Sequence, residues 1–301
     1  MKTPPYLKAG DTIGILCPAG YMPLERVQTA INVLQEWGFK IVSGLTLGNQ
    51  HSYFSGTDDE RLSDLQAMMD DDSIHAIFCA RGGYGTGRII DRIKFKKFKK
   101  HPKWIIGFSD ITVLHCHLFS NYKIASMHAP MAAAFNDGQY TNEFVQSLHE
   151  ALLGKKIQIE SAPHPLNRQG SAKGTLVGGN LSLLAHLTGT SSEIDMKNKI
   201  LFIEDIGEYI YNVDRMLYQL KRNGKFDKLS GLIVGGFTEM KDTETPFGKS
   251  IEEVIREVIE EFDFPVCFSF PVSHEKENYA LKIGLEYKLS IKKRRTSLSE
   301  L

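Results

Sequence analysis

Apolar residues follow two rhythms along the first half of this chain. Largely unbroken runs, Thr12 to Cys17, Ile74 to Ala80 and Lys103 to Phe108, predict strands buried on both faces. Between them, apolar positions return every three or four residues over Leu24 to Trp37, Asp58 to Met69 and Ile111 to Phe119, the spacing of amphipathic helices. Lys40 to Ser43 adds a strand and Ile89 to Phe98 a helix. Pro18-Ala19-Gly20 stops the first strand, and Gly38 stops the first helix. Strand and helix in regular alternation predict an α/β fold with a doubly wound, flavodoxin-like parallel sheet. In such a sheet the ligand lies beyond the carboxyl ends of the strands. That puts chemistry first at Pro18 to Gly20, Arg81 to Gly83 and Ser109-Asp110.

The rhythm weakens between Gly154 and Gly174, where Ser161-Ala162-Pro163-His164-Pro165 and Asn167-Arg168-Gln169-Gly170 are turn-forming. The expected organisation is an N-terminal α/β domain over 1–155, a connection over about 156–169, and a smaller C-terminal α/β domain over 170–301. The latter begins with Gly174 to Asn180, and strands are predicted from Ile200 to Ile203, Gly231 to Gly236 and Val266 to Phe270. Helices are predicted over Leu181 to Leu187, Val213 to Arg222 and Ser250 to Phe262. Ala280 to Gly284 and Tyr287 to Ile291 alternate, which predicts a closing β-hairpin.

Composition narrows the function. Lys plus Arg and Asp plus Glu number 36 each, so no net charge draws the protein to nucleic acid or an anionic membrane. No apolar run approaches the ~18 residues of a spanning helix, and no leader-like apolar segment follows Met1. A cytoplasmic protein is expected. The four cysteines are scattered, three of them in apolar runs, which suits buried thiols in a reducing compartment. Neither an H-E-x-x-H nor a cysteine-rich zinc pattern occurs, and His115 and His117 point to different helix faces. Neither metal nor cofactor is expected.

Four places could carry chemistry. Ser109 stands between an apolar strand and a helix, where a sharp turn would lift its hydroxyl toward a helix N-terminus and the Asp110 N–H. The G-x-S-x-G elbow is incomplete, because Ile111 replaces its second glycine, and by local pattern alone Ser109 reads more readily as a simple helix cap. Arg81-Gly82-Gly83-Tyr84-Gly85 could present backbone N–H groups to an anion or be a plain flexible turn. Glu204 ends an apolar strand and could orient a histidine, or could belong to a solvated acidic loop with Asp205 and Glu208. His274, in a polar loop, could be a general base or a surface histidine.

The order and wording of six segments resolve more. Leu7-Lys8-Ala9-Gly10-Asp11-Thr12-Ile13-Gly14, Ala80-Arg81-Gly82-Gly83-Tyr84-Gly85, Ile106-Gly107-Phe108-Ser109-Asp110-Ile111-Thr112, Gly178-Gly179-Asn180-Leu181, Glu204-Asp205-Ile206-Gly207-Glu208 and Asp214-Arg215-Met216-Leu217 resemble the LD-carboxypeptidase family, in the family's order. The resemblance implies a homodimeric serine peptidase that releases the terminal D-alanine of murein tetrapeptides during cell-wall recycling. Carried over, Ser109 is the nucleophile, Glu204 the orienting acid with Glu208 as its rival, and His274 the base. The N–H groups of Asp110 and Gly83, with Gly82 nearby, would hold the oxyanion, and Arg81 the substrate carboxylate. Family members usually have glycine before that histidine, where this chain has Ser273. A related branch, the microcin C self-immunity peptidases, cleaves an aminoacyl–nucleotide link and uses an aromatic platform. Neither Trp37 nor Trp104 lies near Gly178-Gly179-Asn180, where that platform is expected. A binding module without catalysis is the remaining alternative.

Overall fold

The computed structural model describes residues 1–301 and divides them into two compact units, Met1–Lys155 with Tyr279–Lys282, and Lys156–Asn278 with Ile283–Leu301. The first unit is built on strands β1 (Thr12–Leu16), β2 (Lys40–Ser43), β3 (Ala76–Cys79), β4 (Trp104–Ile106) and β5 (Ser126–His128). They pair in parallel in the order β2-β1-β3-β4-β5, and Leu281–Ile283 borders β5. This is the flavodoxin-like order, with its switch point between β1 and β3. β3 and β4 are wholly buried, as their unbroken apolar runs require. β2 is mostly exposed and opens on Lys40, as suits an edge. Helices α1 (Glu25–Glu36), α2 (Asp58–Asp70), α3 (Thr86–Ile89), α4 (Thr112–His117) and α5 (Glu143–Leu152) complete the unit.

One predicted helix is absent. After α3 a single 3-10 turn, Ile90–Arg92, gives way to extended chain at Ile93. Ile90, Ile93, Phe95 and Phe98 are all buried from this irregular segment. At its middle a side chain takes the place of helical bonds: the Lys94 N–H donates to Gln66 Oε1 at 2.7 Å, and Gln66 Nε2 to the Lys94 carbonyl at 2.9 Å.

The second unit contains β6 (Gln158–Ser161), β7 (Gly170–Asn180), β8 (Lys199–Ile206), β9 (Gly231–Thr238), β10 (Val266–Cys267), β12 (Glu286–Lys292) and β13 (Arg295–Glu300); β11 is the Leu281–Ile283 strand beside β5. The seven-stranded order is β10-β9-β8-β7-β12-β13-β6. β7 to β10 run parallel, while β12, β13 and β6 add antiparallel pairs. Helices α6 (Leu181–His186), α7 (Ile210–Arg222) and α8 (Ile251–Val258) accompany this sheet. The closing hairpin lies later than its sequence suggested: β12 pairs with β13, and Ala280 to Gly284 take no part in it. In β13 only Thr296 and Leu298 are buried, and a strand with a single large apolar residue carries little sequence signal. The segment 156–169, expected as a connection, contributes β6, which pairs with β13.

Candidate active site

In the first unit the residues of interest gather where β1, β3 and β4 end. Gly107 has φ +152°, and a Cβ there would lie 2.9 Å from Ile111 Cγ1. The bulky residue at 111 is therefore accommodated by the absence of a side chain at 107. Ser109 has φ +63°, a left-handed conformation that costs a side-chain-bearing residue roughly 1–2 kcal/mol. It opens a short 3-10 turn, Ser109–Ile111, that runs into α4. Room for this turn comes from the neighbouring loop, since a Cβ on Gly82 would stand 2.9 Å from Ser109 Cβ. The G-x-S-x-G reading looked for that room two residues downstream, whereas here it is supplied across the sheet.

The glycine loop is held on several sides. The Gly20 N–H donates to the Gly82 carbonyl at 2.9 Å. Gly83 has φ +91°, and a Cβ there would meet the Tyr53 hydroxyl at 2.9 Å. Exposed Arg81 donates from Nη1 to the Tyr21 carbonyl at 2.5 Å. Asp110 is buried, and its Oδ2 accepts the Thr86 N–H at 2.8 Å. Burial raises its pKa, against the lowering effect of its Thr86 hydrogen bonds and the Arg61 charge.

In the second unit, Glu204 and Asp205 lie inside β8 at 0% and 1% exposure, which removes the solvated-loop alternative for both. Glu204 Oε2 lies 2.5 Å from His274 Nδ1. Glu208 instead accepts from Asn212 Nδ2 at 3.0 Å. Burial depresses the His274 pKa, but the Glu204 hydrogen bond and the charges of Glu204, Asp205 and Glu239 outweigh it, and the net shift is upward. Asp205 accepts from Asn180 Nδ2 at 2.7 Å and from the Ser182 and Ile206 N–H groups at 2.9 Å each. Burial, reinforced by the Glu204 charge, still pushes its pKa to about 6.

A β-bulge explains how the histidine loop reaches Glu204. Ile203 pairs with Val234 and Asp205 with Phe237, so Glu204 faces two residues, Gly235 and Gly236. Both must be glycine, because a Cβ on Gly235 would lie 2.2 Å from the Val272 carbonyl oxygen and one on Gly236 2.5 Å from Ser273 Cβ. The Gly236 N–H then donates to the Val272 carbonyl at 3.0 Å, two residues before His274. Ser273, in place of the usual glycine, shapes the loop itself: its hydroxyl accepts the Glu275 N–H and donates to the Glu277 carbonyl, each at 3.0 Å. Sequence reasoning passed over Gly235-Gly236, although paired glycines in a strand are a bulge signal. It also missed Asp205, and Arg61, which nothing in its helical surroundings marks.

Other expected bystanders are structural. His115 is fully buried between Ser126 Oγ and the Gly107 carbonyl, 2.8 Å from each, and burial lowers its pKa to about 4. All four cysteines are buried free thiols; burial raises Cys79, and takes Cys17 to about 12. Trp104 is buried in β4 and stacks on Tyr6, and Trp37 stacks on His149 at 4.3 Å. No three His, Cys, Asp or Glu side chains gather as a metal site would require.

The first unit thus holds a strained serine after a parallel strand, and the second unit a buried carboxylate–imidazole pair. The LD-carboxypeptidase N-terminal domain profile matches residues 13–129, and the C-terminal domain profile residues 173–289. The chain is 38% identical over 284 residues to the probable murein peptide carboxypeptidase of Bacillus subtilis, covering 93% of this chain and 89% of that protein. It is 26% identical over 330 residues to the microcin C7 self-immunity protein MccF of Escherichia coli, with 98% and 94% covered. The crystal structure of muramoyltetrapeptide carboxypeptidase from Oxalobacter formigenes superposes with a TM-score of 0.88 at 29% identity, covering 96% of this chain and 98% of that one. The protein is therefore a peptidase of the carboxypeptidase class. It belongs to the LD-carboxypeptidase family.

Proposed function

We propose that this protein is a serine-type LD-carboxypeptidase that hydrolyses the bond releasing the terminal D-alanine of murein tetrapeptides. The observation that carries the reading is the buried Glu204 at 2.5 Å from His274 Nδ1. A carboxylate so placed accepts the Nδ1 proton, fixes the tautomer and leaves Nε2 to act as base. Ser109 Oγ attacks the scissile carbonyl carbon while His274 Nε2 takes its proton. The oxyanion is held by the Asp110 and Gly83 N–H groups. Collapse breaks the C–N bond, His274 returns the proton to the departing D-alanine amine, and water then hydrolyses the acyl-enzyme. Arg81 pairs with the substrate's terminal carboxylate through guanidinium nitrogens other than the one bound to Tyr21. A cytoplasmic homodimer acting in peptidoglycan recycling completes the proposal.

The similarity to the microcin C7 self-immunity protein favours a second reading, cleavage of an aminoacyl–nucleotide link. Against it, both tryptophans are committed to packing within the first unit. Assays with a murein tetrapeptide and an aminoacyl-sulfamoyl adenosine separate the two. Ser109→Ala should lower turnover of the true substrate by at least ~10³ with unchanged thermal stability, and abolish fluorophosphonate labelling. Near-normal turnover in that variant would refute the serine mechanism, and a wild-type protein that turns over nothing would support a binding module.

A further inference from the structure

Glycines give the Gly82–Gly85 loop freedom, so something else must fix it. Arg61, in the first turn of α2, is wholly buried at 0% exposure. Its Nη1 donates to the Pro18 carbonyl at 2.6 Å and the Gly85 carbonyl at 3.0 Å, and its Nε to the Gly56 carbonyl at 3.3 Å. Nη2 pairs with Asp58, which also binds Arg88, and the Phe54 ring lies 4.8 Å from the guanidinium carbon. One planar fork thus ties the loop after β1, the loop after β3 and the start of α2. Gly85 must lack a side chain for this, since a Cβ there would lie 2.8 Å from Arg61 Nη1.

The other end of the same peptide group is also held. The Gly85 carbonyl and the Thr86 N–H belong to one peptide plane; Arg61 takes the first and the Asp110 carboxylate the second, at 2.8 Å. Asp110 also carries one of the two backbone N–H groups assigned to the oxyanion. We propose that Arg61 and the Asp110 carboxylate are positioning residues, which pin the Gly85–Thr86 peptide and so set the Gly83 N–H against the Asp110 N–H. The inference rests on the reading of Ser109 as nucleophile. Burying a guanidinium is expensive, and a fork that meets several carbonyls at fixed angles cannot be replaced by a lysine point charge. An oxyanion site depends on such preorganisation, and a displacement of about 1 Å can cost ~10²-fold in rate.

The test uses the full-length protein, murein tetrapeptide as substrate, and active sites counted by complete fluorophosphonate labelling. Arg61→Lys should lower kcat per labelled site by roughly 10–100-fold while KM changes less than about threefold. Arg61→Ala should recover at least ~10-fold in kcat with millimolar guanidinium chloride, which can occupy the vacated fork. Asp110→Asn, which keeps one acceptor oxygen, should lose less than Asp110→Ala. If Arg61→Ala does not fold, Arg61→Lys decides alone. A kcat per labelled site within about twofold of wild type in Arg61→Lys would overturn the proposal, as would a loss arising only from fewer labelled sites. Turnover surviving in Ser109→Ala would defeat the underlying serine reading whatever Arg61 does. A dead Ser109→Ala beside a normal Arg61→Lys would sink this inference alone.

Discussion

At the level of single residues, the charges around His274 set when it can act in the proposed mechanism. Burial alone would make this imidazole a weak base, but the Glu204 hydrogen bond and three nearby carboxylates reverse that and raise its pKa. A general base must be neutral, and a raised pKa means it protonates at a higher pH than an ordinary histidine. The acid limb of kcat/KM should therefore lie above pH 6.5, with activity falling as pH drops through it. Asp205→Asn removes one of the negative charges that favour the imidazolium, so the limb should move toward lower pH. Profiles of both proteins measured side by side check this, and an unmoved limb would mean that Asp205 does not act on His274. Ser109 is the complementary case in the first unit: its left-handed φ is a local cost tolerated because Gly82 leaves space for it.

Elements matter here chiefly through their irregularities. The bulge between β8 and β9 lets the loop Val272–His274 descend onto Glu204, and two consecutive glycines allow it. Gly235→Ala would drive a methyl to 2.2 Å from the Val272 carbonyl oxygen and displace the histidine loop. The expected outcome is a kcat loss of at least ~10-fold, exceeding any loss explained by unfolding, since ~1 Å of misplacement suffices. Kinetics with a melting curve on the same sample test it. Helix α8 offers a control. Its capping box joins the Ser250 hydroxyl to the Glu253 N–H at 3.2 Å and Glu253 Oε2 to the Ser250 N–H at 2.8 Å. Ser250→Ala should cost about 0.5–2 kcal/mol in chemical denaturation and leave kcat unchanged. A drop in kcat would show that α8 is coupled to the chemistry.

For the molecule as a whole, two sheets organise two units, and the chain returns to the first with Tyr279–Lys282 after building most of the second. No helix is long and apolar enough to cross a membrane. The four free cysteines are buried: Cys17 just after β1, Cys79 in β3, Cys116 in α4 and Cys267 in β10. Their thiols sit well above the usual range because burial disfavours the thiolate. In native buffer a thiol reagent should modify none of the four within minutes, and all four should react once denaturant unfolds the chain. Fast labelling of any one in native buffer would reveal local opening of its unit.

The sequence alone determined the alternation of strands and helices in the first unit, because parallel strands buried on both faces must be continuously apolar and their helices amphipathic. It also marked Ser109, Glu204 and His274, since each stands where an apolar run ends in polar residues. It could not separate Glu204 from Glu208, which needed the strand to continue through residue 206 and the bulge to admit the histidine loop. Nor could it show that Ile90 to Phe98 pack without a helix, or that the hairpin forms from β12 and β13. Those outcomes depend on pairing partners distant in the chain: Gln66 for Lys94, Gly82 for Ser109, Gly235 for Val272. Local pattern fixes which face of an element is apolar; contact between remote segments decides where an irregularity is stable, and in this protein the irregularities surround the residues proposed to carry the chemistry.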